Sequence, residues 1–252
     1  MQKALRVIAP LAAIAAPLAF AASPATAATG TSYQATLNPL NHATGSGMAT
    51  ISLNGSSATI TESWTGLAGS FSGAPYPHVQ HIHIGAAGAC PTTSADKNGD
   101  GVVSTTEGAA AYGGIGATLS TSGDTSPAAG TDIKIAPAGS STDYSRTIQL
   151  DAKTLASLKS DTAVIVVHGL DPATLSKKAQ GEKSDLVPSL PLAATSPALC
   201  GAVHAMPAGG VATGTGSTSG MEDSSLLGLA GGLFVAGAGM ALYTVRRKTV
   251  KA

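Results

Sequence analysis

From Leu226 to Val245 the chain carries no charged residue, and Arg246, Arg247 and Lys248 follow at once, with Lys251 just beyond. At a rise of 1.5 Å per residue, a helix over that stretch spans about 30 Å, the thickness of a bilayer's hydrocarbon core. Its glycines, Gly228, Gly231, Gly232, Gly237 and Gly239, weaken a helix in water. In a membrane such small residues let backbones approach. The other end has the three parts of a secretory signal: Lys3 and Arg6, an apolar run from Val7 to Ala21, and small residues around Ala25-Thr26-Ala27. Residues 1–28 are therefore expected to be a signal peptide, cleaved after Ala27 or Ala28, and residues 226–245 a single transmembrane helix. Basic residues stay on the cytoplasmic side, so 246–252 is expected to be a cytoplasmic tail, with the N-terminus outside at the cell surface. Whatever folds in water lies between these ends.

The zero net charge of the whole chain hides a segregation. Between Thr29 and Leu226 eight basic residues face all fourteen acidic ones, so the exported part is acidic. Nucleic acid, which needs a basic surface, is excluded as an expected partner. The chain has two cysteines, Cys90 and Cys200, both exported. Export permits a disulfide, and an even pair without a third thiol favours it over two free thiols. Closing a loop of about 110 residues is worth on the order of 4–5 kcal/mol in the chain-entropy description.

From Thr29 to about His204 short apolar runs are separated by Gly, Ser, Pro, Asn and Asp, which predicts an all-β domain over 29–205, a sandwich or barrel. Ala49, Ile51 and Leu53 alternate with polar residues, Asn54-Gly55 supplies turn chemistry, and Ala58 and Ile60 resume the alternation through Trp64, predicting a hairpin. Ile133 with Ile135, and Ile148 with Leu150, each predict a half-buried strand. Asp151 is an N-cap candidate for a helix carrying Leu155 and Leu158. Ala163 to Val167 is apolar throughout and mostly β-branched, as a strand covered on both faces requires. Residues 206–225 are Gly, Thr, Ser and Ala with little else, and predict a flexible stalk. Leu-Pro-x-Thr-Gly is absent from it; Val211-Ala212-Thr213-Gly214 is a loose echo, which leaves covalent wall anchoring open.

Two motifs carry chemistry. Asp96 to Glu107 fits a twelve-residue calcium loop at each constrained position. Asp96, Asn98 and Asp100 fall at positions one, three and five, and Gly101 makes the turn. Val102 offers its carbonyl, Ser104 reaches an ion directly or through water, and Glu107 closes the site. Helices on both sides are not predicted: Ala109 to Tyr112 can start one, while Cys90 to Ala95 is poor helix material, so the loop is expected as an insertion between strands. The alternative is a solvated acidic turn. The second motif is His78-Val79-Gln80-His81-Ile82-His83. On a strand His81 and His83 share a face while Ile82 and Ile84 face the core. Such a pair chelates copper or zinc if a third ligand arrives, and His168, after Val164 to Val167, is the candidate. The alternative is three histidines hydrogen-bonded to nearby loops. His42 and His204 are read as surface or loop residues. No nucleophile elbow, spare thiol or phosphate loop is present, so no catalytic residue is assigned.

The order of these pieces, over about Tyr33 to Val203, resembles the CHRD family and, more distantly, copper/zinc superoxide dismutase. The resemblance rests on Gly45-Ser46-Gly47-Met48-Ala49 opening a hairpin, Gly66-Leu67 ending it, His81-Ile82-His83-Ile84-Gly85, Val166-Val167-His168-Gly169, Cys90 after His83, and Cys200-Gly201 at the close. It implies an antiparallel, Greek-key-like β-sandwich, copper-type ligands at His81, His83 and His168, and a Cys90–Cys200 disulfide. From Pro91 to Val167 there is no histidine, and Pro197 stands where the dismutase has its guiding arginine. The dismutase's zinc half has no counterpart. The expected function is therefore a membrane-anchored CHRD-type binding or structural module with a calcium loop and a histidine metal site, engaging an extracellular protein or cell-envelope partner. A copper-dependent redox enzyme and an extracellular metal-capture protein are the alternatives.

Overall fold

The computed structural model of the protein describes residues 31–207. The predicted signal peptide, membrane helix and tail, and the stalk beyond residue 207, lie outside the described residues. Among the described residues no helix is long and apolar enough to cross a membrane.

In chain order the strands are β1 (Thr31–Pro39), β2 (Ser46–Asn54), β3 (Ser57–Thr65), β4 (Ser70–Phe71), β5 (Ala74–Pro75), β6 (Gln80–Ile84), β7 (Gly114–Thr118), β8 (Ser141–Gln149), β9 (Val164–His168), β10 (Pro197–Ala202) and β11 (His204–Ala205). Among the described residues four α-helices accompany them: α1 (Thr105–Tyr112), α2 (Ala152–Lys159), α3 (Lys177–Gly181) and α4 (Leu192–Thr195). The main sheet runs β7-β6-β9-β10-β1-β2-β3-β8, with β11 beside β1, and β4 pairs with β5. All its ladders are antiparallel. β1 pairs with β2 along Thr31 to Leu37 but with β10 only at Asn38 and Pro39. The sheet curls there, and Ile51, Ile60 and Trp64 of one half share a core with Ile82, Ile165 and Leu199 of the other. Each such side chain contributes about 1.5–3 kcal/mol by leaving water.

The hairpin forms as the alternation predicts: Ala49, Ile51, Leu53, Ala58, Ile60 and Trp64 are all buried. Asn54 pairs with Ser57, so the two-residue loop is Gly55-Ser56, with Gly55 at φ +62. Asp151 caps α2 by accepting from the Thr154 N–H at 2.7 Å. β9 is buried at every position between β6 and β10.

The predicted strand at Ile133–Ile135 is a single 3-10 turn, with Ile133 57% exposed. The Asp132 carboxylate accepts from the Lys134 N–H at 3.0 Å and offers the backbone a local partner in place of a ladder. The helix expected to start near Ala109 begins earlier, at Thr105. Ser104 is its N-cap, with Glu107 completing a capping box.

Candidate metal centre

In β6, Ile82 points into the shared core with Ile165, its partner on β9. His81 and His83 therefore occupy the opposite face, opposite Val166 and Val164. Two residues beyond Val166, His168 falls on that same face. A smaller cluster of Tyr112, Val164, Val166 and Cys200 packs there, with Cys90 against it. The Cys90–Cys200 disulfide is formed and ties the segment leading to α1 onto β10.

His81, His83 and His168 are each 3% exposed, and their ring centroids lie 5.2–5.8 Å apart. One ring nitrogen of each is bound to a carbonyl: His81 Nε2 to Gly130 at 2.9 Å, His83 Nδ1 to Gly113 at 2.9 Å, and His168 Nδ1 to Thr195 at 2.6 Å. A carbonyl can only accept, so these nitrogens carry the protons, an assignment made from the network. The lone pairs are left on His81 Nδ1, His83 Nε2 and His168 Nε2, and these three atoms are buried without a partner. Ligand atoms of the three residues lie within 4.8 Å of one another, the one such set of three His, Cys, Asp or Glu side chains among the described residues.

The hydrogen-bonding alternative thus accounts for half of each ring. Burial pushes the His83 imidazole down to about 4 and that of His168 to about 3. Burial, followed by the neighbouring His168 and His83 rings, holds His81 well below its ordinary value. All three are neutral near pH 7, the form that binds a metal. Carbonyls on the outer nitrogens supply the support that fixes tautomer and ring direction at metal sites. Three convergent neutral imidazoles suit zinc or copper.

The three histidines are among the residues that line a cleft of about 800 Å³. Its walls come from β4–β5, α1, the 127–134 turn and the 186–195 segment, and are mostly apolar. Among the described residues, Lys134 is the only charged side chain lining it. Asp185, next to Leu186 in the chain, is engaged by the Thr106 N–H at 3.1 Å and by the Thr106 hydroxyl.

The twelve-residue loop leads into α1. Asp96 accepts from the N–H groups of Gly99 and Gly101 at 2.8 and 2.9 Å, and Asp100 from Val102 at 2.6 Å. Glu107 accepts from Lys97 at 2.8 Å and Ser104 at 2.9 Å. Asn98 reaches Asp100 at 3.0 Å and Glu182 at 3.3 Å. Asp96, Asp100 and Glu107 do not form a set with ligand atoms within 4.8 Å of each other. His78 is buried with both ring nitrogens against carbonyls, of His168 and Ala68, each at 2.9 Å, which makes it a structural residue. His42 and His204 are exposed, as expected.

The motif reading missed the supports and the cleft. Gly113, Gly130 and Thr195 act through backbone carbonyls, which no side-chain pattern signals. The two glycines leave a trace: at Gly113 φ is +88 and a Cβ would sit 2.0 Å from the Ile84 carbonyl oxygen, and at Gly130 a Cβ would sit 2.5 Å from Ile115 Cδ1. Fold and site together define an all-β domain with a convergent histidine triad lining an apolar cleft. No family model matches the chain, and no curated protein matches it.

Proposed function

We propose that the exported domain is a transition-metal binding module that holds one copper or zinc ion on His81, His83 and His168 and presents it to the apolar cleft. The observation that carries this reading is the trio of buried, unpartnered ring nitrogens. Leaving buried polar atoms unpaired costs about 1–3 kcal/mol each, and a shared metal ion is what would satisfy all three at once. Bound copper would supply one-electron chemistry, and bound zinc a Lewis acid. Among the described residues the cleft wall offers no carboxylate, which favours a binding module over an acid–base catalyst. The all-antiparallel curled sheet supports the resemblance to a Greek-key sandwich of CHRD or superoxide-dismutase type. We place the domain at the cell surface on the helix predicted over 226–245.

The test is elemental analysis of the full chain after chelator-free dialysis and exposure to copper or zinc. One equivalent per chain, lost in His83→Ala and in His168→Ala, is expected; no stoichiometric uptake by the wild type sinks the reading. Turnover of superoxide by the copper-loaded chain would promote the redox alternative. Retention of copper without turnover, with release to an external chelating partner, would promote metal capture.

A calcium ion in the Asp96–Glu107 loop is the second part of the proposal. The observation favouring it is that the Asn98 amide donates to buried Asp100 at 3.0 Å and to Glu182 at 3.3 Å, which holds two carboxylates side by side. A divalent cation relieves such a like-charge contact. The melting temperature should rise with millimolar calcium and fall with chelator. A melting temperature indifferent to both retires the calcium site.

A further inference from the structure

The cleft over the histidines has a chemistry of its own, and it specifies an occupant. At about 800 Å³ it lies within the range of small-molecule pockets, about 300–1,000 Å³. Its wall is built from Phe71, Tyr76, Ile115, Leu186, Val187 and Leu190. Large hydrophobic side chains are exposed at only three described positions, and two of these, Ile133 at 57% and Leu186 at 47%, line this cleft. The apolar surface left in water is thus concentrated at its mouth rather than scattered over the domain.

Charge decides the other end of the occupant. An imidazole that ligates through its lone pair carries no negative charge, so the three histidines cancel none of the charge of a divalent ion, and among the described residues no carboxylate lines the cleft to do so. Lys134 adds a further positive charge. A positive centre in a mostly apolar cavity favours an anion as the remaining ligand, because few protein charges screen it there.

We infer that the cleft takes an amphiphilic small molecule with an apolar or aromatic body and a single anionic head that ligates the metal. The body lies along Phe71, Tyr76 and Leu190, and its outer end meets Ile133 and Leu186. This rests on the three-histidine metal reading, and the experiment separates the two.

The full chain is loaded with cobalt(II), uptake is counted, and binding is measured by calorimetry and by the cobalt visible spectrum with three probes. Phenylbutyrate has both body and head, phenylbutanol the body alone, and acetate the head alone. Phenylbutyrate should bind at least about tenfold more tightly than either and shift the cobalt spectrum, since each buried methylene is worth about fourfold in affinity. Leu186→Glu and Ile133→Glu, at exposed positions the fold does not depend on, should each weaken phenylbutyrate about tenfold while cobalt uptake stays at one equivalent. A chain that takes up no cobalt overturns both the metal centre and this inference. Stoichiometric uptake with equal affinity for the three probes, or with phenylbutyrate binding indifferent to both variants, overturns the ligand class alone.

Discussion

Thr105 and His168 donate to the same acceptor: the Thr105 hydroxyl and the His168 Nδ1–H both reach the Thr195 carbonyl at 2.6 Å. Thr105 is the first residue of α1, directly after the Ser104 N-cap. Gly113, the residue ending α1, gives its carbonyl to His83. One short helix therefore sets the ring direction of two of the three histidines, and the loop rich in calcium-type residues leads straight into it.

Thr105→Val removes one of the two donors at Thr195 without touching a ring. Metal affinity should fall about tenfold, the lower end of what outer supports contribute, while stability drops by only about 1 kcal/mol. Competition against a chelating dye, paired with a thermal melt, reads both. Equal affinity for variant and wild type would show that Thr105 plays no part in holding His168.

Gly113→Ala should be costly and Gly114→Ala should not, though they are neighbours. At Gly113 φ is +88 and a Cβ would meet the Ile84 carbonyl oxygen at 2.0 Å; at Gly114 nothing lies within 4 Å. The first change should cost at least about 2 kcal/mol, a fall of roughly 4–8 °C in Tm for a domain of this size. The second should stay within about 0.5 kcal/mol. Two melts decide it, and equal Tm values would contradict the packing described.

Glu62 is 1% exposed, its oxygens unpartnered, opposite Tyr144 on β8. Burial pushes its carboxyl from 4.5 up to about 8. The folded chain thus holds a proton that the unfolded chain releases above pH 4.5. This contribution is full below pH 4.5, declines as pH rises, and is lost once pH passes 8. Glu62→Gln has no proton to lose, so the stability of the variant minus that of the wild type should grow steadily from pH 5 to pH 8. Denaturant unfolding of both at each pH cancels the histidine contributions. A constant difference would place the Glu62 titration elsewhere.

Reduction of Cys90–Cys200 should lower Tm by roughly 8–20 °C, from a loop of 110 residues worth about 4–5 kcal/mol. The bond also holds the segment before α1 against β10, so reduction should weaken metal binding as well. Melts and metal titrations with and without reductant check this. An unchanged Tm would mean that the covering segment is held by its packing alone.

Period-two alternation was enough to determine the β2–β3 hairpin, because one buried face forces every second side chain inward. The uninterrupted apolar run of β9 announced a strand covered on both sides, and the spacing of His81 and His83 put them on one face before any partner strand was known. Local chemistry also located the α2 cap at Asp151. The same kind of reading failed at Ile133–Ile135, where three alternating residues carry no more signal than a turn, and Asp132 supplied the competing hydrogen bond. Only the tertiary structure decided which nitrogen of each histidine faces the centre, because that depends on the carbonyls of Gly113, Gly130 and Thr195, distant in sequence and identical in chemistry to every other carbonyl. It alone assembled the cleft, whose walls come from segments that meet when the sheet curls and the covering loops close over β6 and β9. Side-chain pattern is a property of neighbours in the chain; ligand direction and cavity shape are properties of neighbours in space.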